Sequence, residues 1–177
     1  MQDTAALSPE GIKELVTRAG NSPRLRQHRN LHHDHQDPCQ RLLNAICQSS
    51  YIRPHRHSLD PKVETLFAVT GRLTLITFDD DGEVTLIQPF ASEHHGGGSE
   101  CPAGVEIAPG TWHTVLAMTD HAVLLELKPG PFNPDAAKEW AAWAPEEGSE
   151  QASVWLAAMR RLSLSGDIIP QDIEQKK

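Results

Sequence analysis

Between residues 37 and 130 the chain breaks into short β-rich runs with no helical period between them, which excludes most architectures at once. The runs 40–46, 65–69, 73–78, 83–88, 105–107, 111–116 and 122–128 are separated by Gly, Pro and Asp clusters. Asp79-Asp80-Asp81-Gly82 reads as a hairpin turn between two of them. Many short strands joined without helices predict an antiparallel sandwich or barrel around one core.

Histidines mark one place on that framework. His55 and His57 stand at i and i+2 in Pro54-His55-Arg56-His57, so on an extended strand both imidazoles point to one face. Glu64 opens the next apolar run, and His113 follows Pro109-Gly110-Thr111-Trp112. In a closed sheet these four groups, drawn from separate strands, can converge. Three neutral imidazoles and a carboxylate suit a divalent first-row metal, and Fe, Mn, Ni, Zn and Cu all accept the set. Four protein ligands leave one or two positions for water or a bidentate oxygen ligand. Such an ion polarises a carbonyl or activates bound water, and Fe(II) can bind dioxygen. The chain shows no Ser-His-Asp arrangement, phosphate loop or Cys-His nucleophile pair, so any catalysis is expected to run through the metal. A metal-dependent isomerase, epimerase or oxygenase competes with a non-catalytic ligand-binding or structural-metal module.

Several polar residues are candidates for the surroundings of that ion. Tyr51 and Arg53 share strand parity with His55 and are expected beside it, where an Arg fork matches a carboxylate. Arg41 and Asn44 have opposite parity, so only one should face the interior. Glu126 and Lys128 lie in the last strand run, either near the metal or on the solvent face. A small anionic, sugar-like or carboxylate ligand contacting Arg53 is the expected partner. His32-His33-x-His35 can be a second metal site, a lid or a solvated loop, with the loop favoured. His94-His95-Gly96-Gly97-Gly98 reads as a loop between strands. His28 and His121 read as surface or hydrogen-bonded core residues.

Composition limits the alternatives. A net charge of −8 disfavours nucleic acid and anionic membrane surfaces. No apolar run approaches the roughly 20 residues of a membrane span. The start, Met1-Gln2-Asp3-Thr4-Ala5-Ala6-Leu7, lacks the basic and apolar parts of a secretory signal, so a cytoplasmic location is expected. Cys39, Cys47 and Cys101 are odd in number without CxxC spacing and read as reduced thiols.

Helical signals flank the strands. Ser8 and Pro9 cap and open a helix with Ile12, Leu15, Val16 and Ala19 on one stripe, stopped by Gly20 and Pro23. A segment opened by Asn133 and Pro134 is expected to be helical to Trp143, and a second over 150–162. Trp140, Trp143 and Trp155 then pack these helices on the barrel or on a partner subunit. Residues 163–177 form a polar tail. The expected division is 1–36 (helix and His-rich segment), 37–132 (β-barrel) and 133–177 (helices and tail). A homodimer is expected.

The motif His55-x-His57…Glu64-x6-Gly71, then Gly104…Pro109-Gly110-x-x-His113, resembles the two motifs of the cupin superfamily. The gap from His57 to Glu64 is longer than usual, and Ala117 stands where Asn is common. Arg41-Leu42-Leu43-Asn44-Ala45, Tyr51-Ile52-Arg53-Pro54, Glu106-Ile107-x-Pro109-Gly110, Lys128-Pro129-Gly130-Pro131-Phe132 and Trp143-Ala144-Pro145-x-Glu147 are similar to WbuC-type cupin-fold metalloproteins. The resemblance covers about residues 28–147. It implies a double-stranded β-barrel (jelly roll) with a metal in its mouth and a setting in polysaccharide metabolism.

Overall fold

The computed structural model describes residues 6–93, 101–136 and 138–165. The chain is mainly β, with helix α1 (Pro9–Gly20) before the strands and α2 (Glu150–Ser165) after them. The strands are β1 (Arg26–Asn30), β2 (Cys39–Cys47), β3 (His55–Arg56), β4 (Glu64–Thr70), β5 (Arg72–Phe78), β6 (Val84–Ala91), β7 (Gly104–Ile107), β8 (Trp112–Ala117), β9 (His121–Pro129) and β10 (Glu139–Trp140). They form two five-stranded sheets in the orders β1-β2-β9-β4-β7 and β10-β3-β8-β5-β6. The described pairings are antiparallel, and the chain passes repeatedly from one sheet to the other, as in a jelly roll.

Strict alternation explains why so many strands read as continuously apolar. In β2, Leu43 and Ala45 pack outward with Leu15 and Ala19 of α1, while Ile46 joins the core between the sheets. In β8, Val115 and Ala117 face inward, and Trp112 and Leu116 face outward with Leu156 of α2. Each helix thus covers one sheet, and both sheet faces are buried. The α1 boundary follows its cap: Ser8 Oγ accepts from the Gly11 amide at 3.1 Å. Gly71 joins β4 to β5 at φ 77°, where an added Cβ would stand 2.6 Å from Thr119 Oγ1 and 2.8 Å from His121 O.

Three expectations fail. β1, of sequence Arg-Gln-His-Arg-Asn, pairs fully with β2, so the sheet reaches back into the segment expected to hold only a helix and histidines. The described residues of 133–143 do not form an α-helix. A single 3₁₀ turn (Pro134–Ala136) is followed by β10, because Glu139 and Trp140 pair with Arg56 and His55. Trp143 and Trp155 do pack in the core between sheet and α2, but Trp140 is exposed beside His55, 5.5 Å between ring centres. Third, Tyr51 and Arg53 lie outside any strand. The pair His94 and His95 and the tail beyond Ser165 lie outside the described residues.

Candidate metal centre

β3 and β8 bring His55 directly opposite His113 in register, and the chain just after β3 adds His57. One ring nitrogen from each lies within 4.8 Å of the others, and all three residues are buried. Backbone carbonyls orient two of the rings: His55 Nδ1 donates to Arg53 O at 3.1 Å and His113 Nδ1 donates to Thr111 O at 2.9 Å. A carbonyl only accepts, so Nδ1 carries the proton and Nε2 keeps its lone pair. Gly110, at φ 75°, makes the turn that delivers Thr111 and His113. Burial pushes the same two imidazoles toward the neutral form, His55 well below its ordinary pKa and His113 down to about 4. Neutral, pre-oriented nitrogens in one cluster are what a divalent ion requires, so these residues fit the metal implied by the fold.

Glu64, at the start of β4, borders the histidine cluster. It contacts His57 Nε2, and its other oxygen lies 3.9 Å from His113 Nε2. Burial opposes its ionisation, but His57 and Lys128 outweigh this and hold the carboxyl well below the usual carboxylate range. Lys128 Nζ stands 2.6 Å from Glu64 Oε1 and 3.1 Å from His57 Nε2. A cation thus already sits against both Glu64 and His57.

The cluster lines one side of a cavity of about 260 Å³ between the sheets. Asn44, Glu126 and Lys128 face this cavity, as does the apolar set Ile46, Ile52, Leu66, Val115 and Leu124. Arg41 points outward, paired with Asp37 at 3.0 Å, so of the two residues of opposite parity Asn44 is the inward one. Tyr51 and Arg53 do not reach the cavity. Because the chain leading to Pro54 is irregular, strand parity does not carry back from His55. Tyr51 instead joins the core under α2, its hydroxyl donating to Pro145 O at 2.9 Å. Arg53 donates to Ala141 O at 3.1 and 2.8 Å. Arg56 faces away from the cavity, ion-paired with Glu139 and Asp80 above the Trp112 ring.

Sequence reasoning missed Arg26, His28 and Lys138, all of which line the cavity. Arg26, His28 and Asn30 are alternate residues of β1, and period 2 among polar residues was the available signal. Arg26 is buried and bonded to Tyr51 O at 2.9 Å and Glu147 at 2.6 Å. The segment before β2 is a largely exposed strap along the edge of the cavity, in keeping with the favoured loop reading. His32 and His35 line the cavity edge, His35 while exposed, and His33 is exposed beside Asp34. His35 meets Phe132 edge to face at 5.0 Å, and the Phe132 amide donates to His35 O at 2.7 Å. Among the described residues His55, His57 and His113 form the metal-competent cluster, and the strap histidines do not form another.

Comparison with known proteins agrees with this fold. A family model described as a domain of unknown function (DUF6016) matches residues 7–88. No curated protein matches the sequence significantly. A crystallographically determined protein from Shewanella oneidensis superposes with TM-score 0.53 at 11% identity, covering 77% of this chain and 83% of its own. Oxalate oxidase in complex with the substrate analogue glycolate gives TM-score 0.51 at 9% identity, over 82% of this chain and 75% of that one. The capsular polysaccharide assembling protein CapF from Staphylococcus aureus gives 0.51 at 17% identity, over 67% of this chain and 32% of CapF. The chain has the cupin-type β-barrel. No helix among the described residues is long and apolar enough to cross a membrane.

Proposed function

We propose that the protein is a metal-dependent cupin enzyme acting on a small, anionic, oxygen-rich molecule. The observation that carries this reading is the histidine cluster, with two Nε2 lone pairs pre-aimed by backbone carbonyls at one wall of a cavity. His55, His57, His113 and Glu64 would hold the ion. When bound, a divalent metal supplies Lewis acidity toward a carboxylate or carbonyl and lowers the pKa of coordinated water.

The chain's own residues set the charge of the ligand. Beside a divalent ion the cavity has Lys128 and, at its rim, Lys138. Glu64 and Glu126 are the carboxylates facing it, so a metal-loaded cavity is net positive even with both ionised. Arg26 adds little, because Glu147 already neutralises it. An anion is therefore the complementary ligand. The oxalate oxidase of similar fold binds glycolate, which is itself a small hydroxy acid.

Elemental analysis of protein made without a histidine tag, followed by calorimetric titration of glycolate into loaded and chelator-stripped protein, tests the reading. One equivalent of transition metal and metal-dependent glycolate binding are expected. Protein that takes up no metal from a full first-row panel overturns it.

A further inference from the structure

The cavity wall on the sheet opposite the histidines carries polar groups that the metal does not use. Partnered residues on adjacent strands present their side chains to the same face. His28 of β1 is partnered with Asn44 of β2, and Asn44 with Leu124 of β9. Two residues along β9, Glu126 returns to that face, partnered with Leu66 of β4, and Glu64 lies two residues from Leu66. All of these line the cavity. The polar members His28, Asn44, Glu126 and Glu64 form a diagonal row across four neighbouring strands that ends at the metal cluster. Three strand spacings of about 4.8 Å across and four residues of about 3.4 Å along make the row on the order of 20 Å from end to end.

One atom in this row asks for a ligand. Asn44 is only 7% exposed, and its Oδ1 has no hydrogen-bond partner. Burying an amide oxygen unsatisfied is costly, and such groups are ordinarily paired. A donor arriving in the cavity satisfies it. The neighbours narrow the donor's chemistry: an amide and a neutral imidazole each give and accept, and a carboxylate accepts. Hydroxyl groups, which also give and accept, match that mixture, whereas an alkyl chain leaves Asn44 Oδ1 unpaired. The cavity of about 260 Å³ also exceeds the need of a two-carbon acid, since one water takes on the order of 10–15 Å³ of such space.

We propose that His28, Asn44 and Glu126 form a hydroxyl-binding subsite, and that the ligand is a polyhydroxylated carboxylate of the sugar-acid class. Its carboxylate sits at the metal and Lys128, and its hydroxyls run along the row. This rests on the metal-centred reading above and adds the chemistry of the remainder of the ligand.

The test is calorimetric titration of metal-loaded protein with gluconate, galactonate and mannonate against hexanoate, which has the same chain length without hydroxyls. Wild type should bind at least one sugar acid ten or more times more tightly than hexanoate. Asn44→Leu should cut that preference about five- to tenfold, with metal content and hexanoate affinity retained. Glu126→Gln, nearly isosteric, serves as the second variant and should also reduce the preference. Equal binding of sugar acids and hexanoate by wild type overturns the subsite while leaving the metal-anion reading standing, and so does an undiminished preference in both variants. Binding of none of these acids overturns both.

Discussion

Lys128 and Glu64 form an ion pair 2.6 Å long at the spot where a metal would claim the same carboxylate. Lys128 therefore acts as a competing internal cation, and it is also the nearest positive charge to an incoming anion. Replacing it by Met should raise metal affinity by about tenfold or more, since one unit charge a few ångströms from a divalent ion is worth several kcal/mol even when strongly screened. The same change should weaken carboxylate binding. Competition with a fluorescent chelator measures the first effect, and unchanged or weaker metal binding contradicts this account of the pair.

The ligand assignment makes a sharper demand. Exchanging both His57 and His113 for Ala should reduce bound metal to background, because two imidazoles of the cluster are lost. His121, exposed at the start of β9, should tolerate Ala without change. Metal-to-protein ratios by mass spectrometry decide the matter, and full occupancy in the double variant removes the site.

Tyr51 gives a pH dependence with a defined sign. Burial raises its phenol well above the ordinary value, and its hydroxyl donates to Pro145 O. A group whose pKa is raised on folding contributes stability below its unfolded pKa, about 10 for tyrosine, and loses that contribution as pH climbs above it. Thermal melts should therefore fall in Tm above about pH 10. Tyr51→Phe should flatten part of that fall, at a cost of about 1 kcal/mol at neutral pH for the lost hydrogen bond. As the chain has a single tyrosine, phenolate absorbance reports its ionisation directly. An ordinary titration near pH 10 in folded protein contradicts the burial argument.

The strap before β2 meets the end of β9 at Gly130. Its amide donates to Pro38 O at 2.8 Å, and an added Cβ would lie 1.8 Å from Asp37 O. Gly130→Ala should force strap and strand end apart. Hydrogen exchange at the Phe132 amide should accelerate at least tenfold while the amides of β8 stay protected. Unchanged exchange at Phe132 shows that the strap is held by other contacts.

Much of this was legible in the sequence because the governing physics is local. The strand runs follow from alternation and turn chemistry, and α1 from Ser8 and Pro9. The histidine cluster follows from i, i+2 spacing and the Pro109-Gly110 turn. What stayed hidden was tertiary. β1 has a polar inner face because it borders a polar cavity, so it lacks the apolar alternation that marks a strand. The stretch ending in Trp140 has the composition of a helix, but pairing with β3 outweighed that propensity. Arg53 was misplaced by extending strand geometry through a proline, and nothing local announces that the Ala141 carbonyl would capture its guanidinium.

The two-sided burial of β2 separates two kinds of mutation along one strand. Changes at Leu43 and Ala45 act on the packing of α1 and so on how much folded protein a cell retains. Changes at Gln40, Leu42 and Asn44 act on what the cavity admits. A lineage can thus explore new ligands at even positions without eroding the helix contact at odd ones. A saturation scan of this strand should split into two phenotypes that alternate residue by residue.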